Sequence, residues 1–154
     1  MLSLPLAVAM AARGEDTVRN LALNRAAYTP YAADYINTGH MATDGHEDTR
    51  WRSRAGYRRG DEQPWIYIDL GAECVIEKFV LKWEALYPKK FRITLSSTPP
   101  SPETGFVEEW KDAAGTDNSK GGVDEFKLSQ PVKGRYVRMA AGEQDWGLPE
   151  GIGL

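Results

Sequence analysis

The feature that most constrains this chain is a succession of short runs in which apolar and polar residues alternate, with no amphipathic helix of ten or more residues anywhere among them. Trp65-Ile66-Tyr67-Ile68-Asp69-Leu70 places Trp65, Tyr67 and Asp69 on one face and Ile66, Ile68 and Leu70 on the other. Val75 to Trp83 predicts a longer strand, with Ile76, Lys78, Val80 and Lys82 opposite Val75, Phe79, Leu81 and Trp83. Phe91-Arg92-Ile93-Thr94-Leu95-Ser96 alternates with Phe91, Ile93 and Leu95 inward. Val123 to Leu128 and Tyr136 to Met139 are further strands, the second following a turn at Val132-Lys133-Gly134, and Val107 to Lys111 is another candidate. The stretch from Ser96 to Val107, with Pro99, Pro100, Pro102 and Gly105, reads as a loop, as does Asp112 to Gly122. Many short strands separated by turn signals predict an all-β antiparallel sandwich or barrel.

At 154 residues the chain fits one domain with a real core, and no internal repeat or second domain is visible. Nineteen basic against twenty-two acidic side chains give a formal charge of −3, so no overall field draws it to nucleic acid or an anionic membrane. Five Trp, seven Tyr and four Phe suit a β-rich core with some aromatics to spare for a binding surface. The lone Cys74 lies in an apolar stretch and reads as a buried, inert thiol.

Leu2 to Ala12 is almost wholly apolar, with small residues at Ala7-Val8-Ala9 and Ala9-Met10-Ala11 in a signal-peptidase pattern. It has the length of a signal h-region and is too short to span a bilayer. Residues 1–12 are therefore read as a signal-peptide remnant, which implies export, and 13–19 as a linker. A short helical N-terminus is the other reading.

The run Asp44-Gly45-His46-Glu47-Asp48-Thr49-Arg50-Trp51 carries the chemistry. Asp44, Asp48 and the Thr49 hydroxyl are hard oxygen donors, and Gly45 allows the sharp turn that lets backbone carbonyls converge. Such a set suits Ca²⁺ better than a transition metal, although the spacing is not that of an EF-hand. A solvated acidic turn fits the same residues. His40, Asp44 and His46 could imitate a zinc site, but no third strong ligand accompanies the two His. No G-x-S-x-G, H-E-x-x-H, phosphate-binding loop or dinucleotide fingerprint occurs, so the chain reads as non-catalytic.

Taken in order, Asn20-Leu21-Ala22-Leu23-Asn24, Asp44-Gly45, Thr49-Arg50-Trp51, Trp65 to Gly71, Ile76 to Trp83 and Gly134 to Met139 resemble a coagulation factor V/VIII type C (discoidin-like) domain. Within that superfamily the chain is most similar to bacterial family 32 carbohydrate-binding modules, over about residues 20–154. The resemblance implies a jelly-roll β-sandwich of two antiparallel sheets, galactose-binding-domain-like, with a structural Ca²⁺ near one end and a ligand site on rim loops. It implies Asp44 and Thr49 as metal ligands, backbone carbonyls at Met41 and His46 beside them, and Asp48 at a further position of that site. The family's closing Glu would lie on a final strand, just where this chain stops at Gly151-Ile152-Gly153-Leu154. Either the sequence is a piece of a longer protein, which is the expectation adopted, or the last ligand is absent; a missing carboxylate would weaken the metal and a missing strand would leave an open sheet edge.

The ligand residues implied by the resemblance are Trp146, Tyr57, Arg54, Arg58 and Glu84. An aromatic ring packs the apolar face of a pyranose while charged groups orient its hydroxyls. Arg50 is expected to pair beside the metal loop, and Trp51, Trp65 and Trp83 to be core. The implied function is a non-catalytic carbohydrate-binding module of a secreted or cell-surface protein, targeting a covalently linked glycoside hydrolase to its glycan, with no nucleic acid and no membrane span. A discoidin-type adhesion or anionic-lipid-binding domain is the alternative, and a metal-dependent hydrolase a third class.

Overall fold

The computed structural model describes residues 6–11, 18–30, 38–53, 63–142 and 146–147. Among them are nine β-strands and one 3-10 turn at Gly39–Ala42, and no α-helix. The strands are β1 (Leu6–Ala11), β2 (Val18–Asn20), β3 (Ala26–Tyr28), β4 (Trp65–Lys82), β5 (Tyr87–Pro88), β6 (Phe91–Ser96), β7 (Lys111–Thr116), β8 (Val123–Ala141) and β9 (Trp146–Gly147). Every pairing is antiparallel. The main sheet runs β2-β1-β4-β8-β6-β7, with β3 also on β4, and β5 pairs β9 in a small second sheet.

Two long strands turn this sheet into a sandwich. β4 and β8 pair along their whole length, yet their register slips between Asp69 and Cys74 and slips back between Ile76 and Lys78. Extra residues at 70–73 of β4 and 128–131 of β8 form a bent corner, since unpaired residues break the ladder and sharpen its twist. Gly71 takes up the corner at φ 86°, where a side chain would also strike the Arg25 guanidinium. Beyond the corner both strands continue in a second layer with β1 and β2, while β3, β6 and β7 flank their other halves. This is the jelly-roll β-sandwich expected from the sequence.

Several boundaries differ from the sequence reading. The two strands expected at Trp65–Leu70 and Val75–Trp83 are one, and so are those at Val123–Leu128 and Tyr136–Met139, the supposed turn at Val132–Gly134 lying inside β8. The slip between Ile76 and Lys78 turns Ile76 to the same side as Phe79 and Leu81, all three fully buried, and leaves Val75 exposed. The alternation predicted across 75–83 therefore fails at its first two residues. The strand expected at Val107–Lys111 instead occupies Lys111–Thr116, inside the supposed loop. Its Lys-Asp-Ala-Ala-Gly-Thr sequence has little strand propensity of its own, and pairing with β6 overrides it. Leu6–Ala11 runs as a strand, its first four residues in register with Lys78–Leu81. Cys74, expected to be buried, is half-buried at the corner.

The main core joins Ile66, Ile68 and Leu70 from one half of β4, with Phe91, Ile93, Leu95, Val137 and Met139 beside them in the same layer, to Ile76, Phe79 and Leu81 from the other half. Trp51, Trp83 and Tyr87 seal it toward the rim. A separate cluster of Trp65, Tyr67 and Tyr136 sits on the opposite face of the same sheet, flanked by Tyr28, Trp110 and Ala140.

Candidate functional site

The loop that carries Asp44 is pinned before it begins. Asn24, in the left-handed region at φ 57°, donates its N–H to the Thr43 carbonyl at 2.7 Å. Asn tolerates that conformation better than most residues. The buried Thr43 hydroxyl bonds the Arg25 carbonyl at 2.8 Å and the His40 carbonyl at 3.1 Å. The loop is thus fastened to the start of β3. Gly45 follows at φ 80°, and a Cβ there would come within 2.7 Å of Leu23, so only glycine fits the turn.

Within the loop, oxygens crowd one hydroxyl. Thr49 Oγ1 lies 2.8 Å and 2.7 Å from the two Asp44 carboxylate oxygens and 3.1 Å from the His46 carbonyl. The His46 N–H also donates to Asp44 Oδ1 at 3.0 Å, a side-chain-to-backbone turn typical of Asp. A hydroxyl has one proton and can satisfy only one of those three acceptors at a time. The arrangement is richer in acceptors than its donors can serve.

Past the loop, the chain alternates like a strand. Trp51 is fully buried in the main core, while Arg50 and Arg52 on either side of it reach Glu84 on the loop after β4. Arg50 meets one Glu84 oxygen in an ion pair, and Arg52 approaches the other at 3.4 Å. Glu47 is bridged to Lys82 at 2.8 Å, and that hydrogen bond and charge hold its carboxyl below the usual carboxylate range. The Trp51 indole N–H and the Arg52 Nε are buried with no hydrogen-bond partner among the described residues.

The structure brings together three of the predicted groups, Asp44, Thr49 and the His46 carbonyl, and sets Glu84 beside Arg50 and Arg52. Met41 lies on the 3-10 turn, its N–H bonded to the Thr38 carbonyl. Asp48 is exposed and outside the hydrogen-bonded cluster. Among the described residues no three His, Cys, Asp or Glu side chains are placed to hold a metal, so His40, Asp44 and His46 do not form the zinc-like triad weighed from sequence. Arg54, Tyr57 and Arg58 lie outside the described residues. Trp146 pairs through its backbone with Pro88, and its side chain lies outside the description. The network in which Asp124 accepts from the Trp83 indole at 2.6 Å and from Ser119 Oγ at 2.5 Å escaped sequence reasoning. Its partners are 41 and five residues from Asp124, and no local motif joins them. At the far end of β6, a groove of about 420 Å³ lies between Leu95–Thr98, Val107–Glu109, Lys111–Asp112 and Val132–Lys133.

Comparison with known proteins places this geometry. Residues 41–139 match the family of NedA-like, galactose-binding domains of the F5/F8 type C group. Chitosan-binding module 2 of a chitosanase/glucanase from Paenibacillus sp. IK-5, solved with chitotriose, is 29% identical and superposes with a TM-score of 0.70 over 84% of this chain and 93% of that one. Module 1 of the same enzyme is 28% identical, with a TM-score of 0.72 over 85% and 90%. A family 32 module of Clostridium perfringens is 19% identical, with a TM-score of 0.62 over 84% and 94%, and shares the fold. No curated protein sequence matches this one.

Proposed function

We propose that this chain, which belongs to the NedA-like galactose-binding domain family, binds a glycan on its rim beside a structural Ca²⁺. The chain is a carbohydrate-binding module and non-catalytic, as its family and structural relatives are. The observation that carries the rim reading is the meeting of the Thr49–Arg52 segment with Glu84, which sets charged hydrogen-bonding groups at one place on the sandwich edge. Charged donors and acceptors fixed in this way can read sugar hydroxyls by direction. Trp146 and Tyr57 supply the stacking surface in this reading, and Arg54 and Arg58 join Glu84 in orienting the sugar.

The cation reading is supported by the Asp44–Thr49–His46 cluster. The carboxylate, hydroxyl and carbonyl gathered there are hard oxygens, the donor type a Ca²⁺ ion selects. Asp44, Thr49 and the His46 carbonyl would hold it, with Met41 and Asp48 completing the set. The ion would supply positive charge that neutralises Asp44 and fixes the loop; it has no part in any reaction. The wider role proposed is targeting of a linked glycoside hydrolase in an exported protein. Weak single-site binding then gains from linkage, because the tether keeps the enzyme concentrated at its polysaccharide.

A glycan array probed with the chain, with and without Ca²⁺ chelation, tests this function. Retention on a defined sugar class, weakened by Trp146→Ala and Arg58→Ala at unchanged Tm, is the expected result. Retention on anionic liposomes with no glycan bound would replace it with the lipid-binding alternative. A Tm that responds to Ca²⁺ in the wild type and not in Asp44→Ala is expected of the metal loop, since an ion that binds only the folded state stabilises it by mass action.

A further inference from the structure

The loop bearing Asp44 and the end of β4 are joined by two sets of ion pairs that differ in kind. Glu47–Lys82 is the outer one, with side chains 84% and 43% exposed, and such a pair contributes little in water. The inner set is Glu84 with Arg50 and Arg52, whose side chains are only 27%, 36% and 19% exposed. Both Glu84 oxygens are engaged, one by each arginine, so its carboxylate cannot rotate freely. The backbone that carries the two arginines is anchored, because Trp51 between them is fully buried in the core. On the other side, Arg50 directly follows Thr49, the hydroxyl at the centre of the Asp44 cluster. A change in the Asp44 cluster therefore has a short, packed route to Glu84, and the buried Trp51 gives that route a fixed point.

We propose that Arg50 and Arg52 are positioning residues that set the Glu84 carboxylate for the glycan and couple its placement to the cation state of the Asp44 loop. The role of Glu84 toward the glycan rests on the rim reading above and the coupling on the cation reading, and the two are tested separately. Asp44, Thr49 and the His46 carbonyl would hold the cation, Thr49 is joined directly to Arg50, and Arg50 is paired with Glu84, so the placement of the carboxylate would depend on the state of the loop. By linkage, whatever the cation does to Glu84 and its ligand, Glu84 and its ligand do to the cation.

The test is a Ca²⁺ titration of the full chain by NMR, reading the Glu84 side-chain carboxyl carbon and the Gly45 amide without any sugar present. In the wild type both signals move with a common midpoint. In Arg50→Gln/Arg52→Gln the Gly45 signal still moves and the Glu84 signal does not. A Glu84 signal indifferent to Ca²⁺ in the wild type, one that still moves in the double variant, or a Gly45 signal that never moves overturns the proposal. Should the double variant not fold, Glu84→Gln is read through Gly45 instead: its Ca²⁺ midpoint shifts to higher concentration, and an unchanged midpoint overturns the proposal. With the glycan that the array retains, Ca²⁺ tightens wild-type binding by about fivefold or more, the lower end of ordinary coupling, and this gain disappears in Arg50→Gln/Arg52→Gln. Failure to bind any glycan would remove the rim reading and leave the carboxylate result standing, so the two failures are distinguishable.

Discussion

The first half of β4 is buried on both faces, and the two faces are held by different physics. Inward, Ile66, Ile68 and Leu70 enter the main core that both layers share, where aliphatic side chains pack with Trp51, Phe79 and Phe91. Outward, Trp65 and Tyr67 enter an aromatic cluster, Tyr67 stacked on Tyr28 at 4.9 Å and on Trp65 at 5.9 Å, with Tyr136 edge-on at 6.3 Å. The inner face is closed by the opposite layer of the sandwich. The outer one is covered by the 97–110 loop, whose Gly105 lies flat on the Trp65 ring, where a Cβ would come within 2.8 Å. Trp110 closes the same loop by donating its indole N–H to the Gly105 carbonyl at 3.1 Å. Area removed from water stabilises the inner face and is largely indifferent to orientation. The outer face depends on ring geometry, hydrogen bonds and a cation over a ring, each directional and individually smaller. The difference teaches that one strand can serve as core twice, once by area and once by geometry.

The comparison breaks first if the inner face does not dominate stability. Ile68→Ala, at a fully buried position, is expected to cost about 2–5 kcal/mol through lost transfer energy and the cavity left behind. The loss should appear as a lower denaturant midpoint with an unchanged slope. A loss below about 1 kcal/mol, less than that range allows, would mean the layers collapse onto the gap and the inner face is not tightly packed.

The outer face is sharpened by its response to alkali. Burial, and then the neighbouring Tyr28, Asp69 and Tyr136, push the Tyr67 hydroxyl up from 10.0 to about 12. The folded state therefore keeps this proton where the unfolded chain has lost it. The associated stability is fully present below pH 10 and is lost as pH rises toward 12, to the extent of about 2 kcal/mol. Tyr67→Phe should flatten that part of the stability profile, measured by denaturation across the alkaline range. A profile identical in the two proteins would show that Tyr67 titrates as it does in the unfolded chain.

The inner face was legible in the sequence and the outer one only half so. Alternation across Phe91–Ser96 assigns Phe91, Ile93 and Leu95 to the core correctly, and across Trp65–Leu70 it groups Ile66, Ile68 and Leu70 on one face, because a strand writes its two faces in a period of two. The same rule fails at Ile76, since a bulge changes the phase and nothing in the local sequence marks where the extra residues fall. Nor does alternation reveal that the face carrying Trp65 and Tyr67 is covered: Thr94 and Ser96, on the outward side of β6, are 4% and 6% exposed, Thr94 bonded to Arg138 of β8 and Ser96 to Thr98 of the loop that directly follows it. At the candidate site, the meeting of Asp44 and Thr49 across the turn at Gly45 was legible because their spacing is local. The pairing of Arg50 and Arg52 with Glu84 spans more than thirty residues, and only the folded chain brings them together.

The smallest expected effect isolates one directional contact of the outer face. The Arg138 guanidinium lies 4.4 Å from the centroid of the half-buried Trp110 ring, and its Nε donates to Thr94 Oγ1 at 3.3 Å. Burial alone lowers the Arg138 pKa, opposed in part by the charge of Asp112. Its charge is thus desolvated, and the ring face replaces some of the lost water. Removing either partner disturbs more than this contact: Trp110→Leu also loses the bond to Gly105, and Arg138→Met also loses the bond to Thr94. A double-mutant cycle cancels those separate losses and leaves the pairwise term. For a partly desolvated cation over a Trp ring that term is expected at about 0.5–2 kcal/mol. A coupling of zero would mean that the 97–110 loop is held by apolar contact alone, and the outer face would then differ from the inner one in composition but not in kind.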